Sequence, residues 1–71
     1  MKLYEWTLFE ISGEDECYVA DGVAPSEGEA MREANHYAMM YSQDCDVRVQ
    51  VFVKDMIVNE VVKQRKPEEV K

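Results

Sequence analysis

The sequence predicts an α+β fold: a four-stranded antiparallel sheet with one helix packed on one face, in the order strand, strand, helix, strand, strand. Three observations carry this. Val47, Val49, Val51 and Val53 alternate with Arg48, Gln50, Phe52 and Lys54, the period-two pattern of a strand with one buried face. Ser26 and Glu29 form a capping box that opens an Ala-rich segment with helical spacing. Lys2 to Ile11 is dense in aromatic and branched residues, which favour strands.

In strand one, Tyr4, Trp6 and Leu8 share one face, and Leu3, Phe9 and Ile11 share the other. Both faces are partly apolar, as expected of a central strand or of one with a covered second face. Ser12-Gly13-Glu14-Asp15 reads as a turn, and Glu16 to Val23 as a second strand with Cys17, Val19 and Val23 on one parity. The helix is expected from Glu27 to Ser42, with Ala30, Met31, Ala34, Tyr37, Ala38 and Tyr41 forming its core stripe. Glu27 and Glu29 suit its positive end. A turn near Lys54-Asp55-Met56 leads to a fourth strand, Ile57 to Gln64. The spacing of Ile57, Val58, Val61 and Val62 also fits a helix, but the β-branched content favours strand. Register decides which of Trp6, Tyr18 and Phe52 lie on the face opposite the helix.

The 71 residues hold one domain, 1–64, followed by a charged tail, 65–71, expected to fray. A single core this small supplies about 3–5 kcal/mol, so a homodimer is expected to cover the open sheet face. Cys17 and Cys45 are too few for a disulfide scaffold and form no Cys-x-x-Cys pair. They read as reduced, partly buried residues, with a Cys17–Cys45 bridge as the alternative.

The formal net charge of −7 disfavours direct nucleic-acid and anionic-membrane binding. No apolar run approaches the ~20 residues of a membrane span. Lys2, Glu5 and Glu10 do not fit a signal peptide, so a cytoplasmic location is expected. No catalytic residue, metal ligand set or cofactor is expected. His36 falls opposite the helix stripe, the glycines at 13, 22 and 28 are isolated, and neither Glu14-Asp15-Glu16 nor Asp44-x-Asp46 has calcium-loop spacing.

Charge divides unevenly along the chain. Through residue 46 there are 11 acids and 2 bases; from Val47 onward there are 4 acids and 6 bases. The acidic part would steer the protein to a basic partner. Candidate contacts are Glu14, Asp15, Glu16, Asp21, Glu29, Glu33, Asp44 and Asp46, with Met39 and Met40 as an adaptable apolar interface.

Ser26, Glu29 and Ala30, followed by Ala34 and Ala38 after a short hairpin, resemble the layout of small acidic bacteriophage accessory proteins of the anti-CRISPR type. The resemblance covers most of the chain in outline. It implies a non-catalytic inhibitor in a bacterial host that occupies a basic surface of a nucleic-acid-binding complex. No functional residue transfers with it, because that class shares no common site. The strand-strand-helix core also resembles small antitoxins, although the chain has no room for their DNA-binding module. The alternative function is a self-assembling structural or regulatory subunit whose sheet face is the oligomer interface.

Overall fold

The computed structural model describes residues 3–42 and 44–63. Its elements are β1 (Tyr4–Ser12), β2 (Asp15–Ala24), α1 (Glu27–Tyr41), β3 (Asp46–Val53) and β4 (Met56–Lys63). The sheet is antiparallel throughout, in the order β2-β1-β3-β4, and the fold is α+β as the sequence predicts. Gln64 and the expected tail lie outside the described residues.

Each boundary has a local cause. Gly13, at φ 64, takes the first position of the two-residue β1–β2 loop, a backbone region that glycine enters readily. Ser26 caps α1 by accepting a hydrogen bond from the Glu29 N–H at 3.2 Å, worth about 1 kcal/mol. Ser42 ends the helix by donating its N–H to the Ala38 carbonyl at 2.8 Å. Lys54 and Asp55 turn the β3–β4 hairpin at φ 49 and 69.

Trp6 and Leu8 of β1, Val47, Val49 and Val51 of β3, Ala24 of β2 and Ala30, Ala34 and Ala38 of α1 form the buried core. Small residues on the helix let its backbone approach the sheet closely. Val53, expected beside the other valines, is only half-buried because it pairs with Met56 at the turn end of the β3–β4 hairpin, at the margin of the sheet. Tyr37 and Tyr41 are exposed, so the core stripe is narrower than the spacing alone suggests. They stack on each other instead, with ring centroids 5.8 Å apart, and Tyr37 lies 5.4 Å from Trp6.

β2 departs from simple alternation. Leu8 pairs with Ala20 but Phe9 pairs with Tyr18, which leaves Val19 as the extra residue of a bulge. The bulge reverses the parity of the strand. Ala20, Gly22 and Ala24 face the helix, and Asp21 and Val23 face away with Tyr18. The expected face of Cys17, Val19 and Val23 is therefore broken. Cys17 is exposed rather than partly buried, Cys45 is half-buried, and both are free thiols.

Candidate protein-binding face

α1 lies over β1, β2 and β3, and the opposite sheet face has no covering element among the described residues. Register assembles that open face in rows. Phe9, Tyr18, Arg48 and Val62 make one row; Thr7, Asp21, Gln50 and Glu60 the next; Glu5, Val23, Phe52 and Ile57 a third. Ile11, Glu16 and Asp46 close it at one end. Tyr18 and Phe52 thus belong to the open face, whereas Trp6 lies under the helix.

Arg48 organises the centre of this face. Its Nη2 lies 2.8 Å from Glu16 Oε2 and its Nη1 donates to Glu60 Oε2 at 3.0 Å. Gln50 Nε2 donates to the same Glu60 oxygen at 2.7 Å. The Arg48 Nε is covered and has no hydrogen-bond partner among the described residues. The Gln50 hydrogen bond, followed by that from Arg48, holds the Glu60 carboxyl below its ordinary range. The Tyr18 hydroxyl donates to Asp21 Oδ2 at 2.6 Å, which pushes its own ionisation upward.

A depressed carboxylate contributes stability that is present above its unfolded pKa and lost as pH falls through the folded value. Glu60→Gln is therefore expected to be less stable than the parent at neutral pH. The difference should shrink as pH falls through and below the ordinary Glu range. Urea midpoints at neutral and acid pH check this; a difference that persists undiminished at acid pH would count against the Glu60 network as its source.

The eight carboxylates expected at the partner surface fall into three groups. Glu16, Asp21 and Asp46 lie on the open face. Glu14, Asp15 and Asp44 sit at the end where the β1–β2 loop meets the α1–β3 connector. Ser42 fixes that junction by donating its hydroxyl to Glu10 Oε2 at 2.6 Å. The last turn of α1, also at this end, contains no basic residue, so its carbonyl terminus adds negative potential. Glu29 and Glu33 stand apart on the helix. Glu33 has a structural partner, accepting the Trp6 Nε1–H at 3.0 Å. Met39 and Met40 are exposed on α1, away from both the core and the open sheet face.

Sequence reasoning passed over Arg48 as a polar residue alternating with valines. Its signal is the single cation among the open-face positions of β3. No described group of His, Cys, Asp and Glu is placed to hold a metal ion, and no described helix is long and apolar enough to cross a membrane. Comparison with family models, curated proteins and solved structures finds no match.

Proposed function

We propose that this chain is a non-catalytic binding protein that docks its open sheet face, with the adjoining acidic end, onto a basic surface of a larger protein. One observation carries the reading. Among the described residues the open face presents five carboxylates, Glu5, Glu16, Asp21, Asp46 and Glu60, and one cation, Arg48, already held by two of them. Exposed Tyr18, Val23, Ile57 and Val62 lie between the charges. Apolar anchors inside a charged frame are what a specific protein contact uses.

The complementary partner has an apolar centre and a rim of Lys and Arg. Basic surfaces of that kind hold nucleic acid, and an acidic protein seated there excludes a polyanion by occupying the same charges. The anti-CRISPR-like reading is a special case of this mechanism. Self-assembly through the open face is the competing reading, favoured by the exposed apolar residues and opposed by the like charge of two copies.

Capture from a bacterial lysate tests the proposal. Glu14→Lys, Asp15→Lys and Asp44→Lys are combined, leaving the Glu16–Arg48–Glu60 contacts intact. The parent is expected to capture a basic nucleic-acid-binding protein at low salt and release it near ~1 M salt, where screening shortens to about 3 Å. The triple variant should lose most of that capture. Equal capture by the variant would refute the acidic contact. No basic partner, together with a salt-resistant assembly that Phe52→Glu dissolves, would establish the self-assembling subunit instead.

A further inference from the structure

The sheet has two edges, and they differ in charge. β2 carries Asp15, Glu16 and Asp21 without any Lys or Arg. β4 carries one Glu60 and one Lys63 and is neutral. They also differ in cover. α1 packs over β1, β2 and β3 and reaches β4 through two side-chain hydrogen bonds, Asn59 Nδ2 to Glu27 Oε2 at 2.9 Å and Lys63 Nζ to Asn35 Oδ1 at 2.7 Å. Among the described residues β4 is therefore the less covered edge: Asn59, Val61 and Lys63 are half-buried on the helix side, and Met56, Ile57, Val58 and Val62 are between 43 and 69% exposed. Among the described residues no strand pairs with the outer edge of β4, and an unpaired edge is a template for another strand.

We propose that β4 pairs antiparallel with β4 of a second copy, about a two-fold axis centred on Val61. Charge selects the edge: two β2 edges would set three carboxylates against three, whereas two β4 edges meet without net repulsion. The pleat selects the register. β4 pairs with β3 without interruption from Asn59 to Lys63, and the register shifts between Asn59 and Ile57. Within the regular stretch Asn59, Val61 and Lys63 face the helix side, and Glu60 and Val62 the open side.

Faces match across an antiparallel pair only when the axis passes through a residue position. An axis on Glu60 would oppose two carboxylates. One on Asn59 would run the pairing through the bulge. An axis on Val61 sets Val61 against the partner's Val61, Glu60 against the partner's Val62, and Asn59 against the partner's Lys63. It joins two sheets into eight strands and closes after two copies, so no fibre grows from it.

About 17 Å of regular edge is shared, at ~3.3 Å per residue. That contact falls in the small-interface class, so the dimer is weak and concentration-dependent. The open faces stay uncovered and lie side by side, presenting two copies of the proposed docking surface. The inference stands on the β4 edge and not on the partner-binding reading.

Two measurements test it. Sedimentation of the full chain from ~10 μM to ~1 mM should show the apparent mass rising toward twice that of the monomer. In a Cys17→Ser, Cys45→Ser background, Val61→Cys should form a covalent dimer on mild oxidation. Cα atoms of an antiparallel pair lie about 4.5–5.5 Å apart, within disulfide reach. Val23→Cys on β2, in the same background, should remain largely uncoupled. A parent that stays monomeric over the whole range overturns the proposal. So does a parent dimer in which Val61→Cys does not couple or Val23→Cys couples as well.

Discussion

Gly22→Val is expected to leave the chain unfolded at room temperature, and Gly22→Ala to remove most of its stability. A Cβ at Gly22 would stand 2.7 Å from Trp6 Nε1 and 2.8 Å from Cε2 and Cζ2, closer than real Cβ atoms come to such atoms. The indole has little freedom to retreat. It is 1% exposed, its N–H is held by Glu33 at 3.0 Å, and Tyr37 lies 5.4 Å from it. Moving the ring breaks that hydrogen bond, worth about 1.5–3 kcal/mol because the acceptor is charged. Overpacking adds about 1–3 kcal/mol. Together these rival the ~3–5 kcal/mol that one small core supplies.

Urea titration followed by Trp fluorescence reads the loss. Trp6→Phe offers the control, because the smaller ring lacks Cζ2 and the hydrogen bond to Glu33 and can shift away from the new Cβ. Gly22→Ala in that background should be far less damaging than in the parent, with a coupling above about 1 kcal/mol. An unchanged midpoint for Gly22→Ala in the parent would mean that the ring does not rest on Gly22.

Gly22 also marks where the sequence stops being legible. Periodicity in β3 identifies its core face because valine repeats at every second position, with Arg48 and Gln50 among the residues between. The ends of α1 are equally local, being set by Ser26 and Glu29 at one end and by the chain turning toward β3 at the other. β2 lacks such a signal: its helix-facing residues are Ala20, Gly22 and Ala24, too small to stand out as a buried face. They are small because Trp6 and the helix press on them from β1 and α1, which are distant in sequence. The Val19 bulge that puts them there is likewise a consequence of tertiary pairing.

The candidate site divides in the same way. A net excess of acid in the first 46 residues is visible by counting. Strand pairing determines that Glu16 and Glu60 converge on Arg48, and that Glu33 turns inward to Trp6. The α1–β3 connector meets the β1–β2 loop because β3 pairs antiparallel with β1, which sets Asp46 opposite Ile11. Strand pairing also creates the open face, because the order β2-β1-β3-β4 and its registers bring Tyr18, Phe9, Phe52 and Val62 onto one surface.

Ala34→Leu is expected to cost about 1–3 kcal/mol, and more where the helix cannot shift, which is a large share of the domain's stability. Ala30, Ala34 and Ala38 are wholly buried at i, i+4 spacing, so the helix meets the sheet along a line of methyl groups. Leucine at the middle position inserts three further carbons between α1 and the layer of Trp6, Leu8 and Val49. Helix propensity cannot account for a loss, since leucine is nearly as good a helix former as alanine. Met39→Leu on the exposed side of the same helix should stay within about ±0.5 kcal/mol of the parent.

Urea midpoints of the two variants separate packing from propensity, and a parent-like Ala34→Leu would mean that helix and sheet are not in close contact. The same variant bears on function. The open face is built from β1 to β4 and includes no residue of α1. Below its lowered midpoint, Ala34→Leu should therefore still capture the basic partner, whereas Phe52→Glu, which leaves the helix layer untouched, should not.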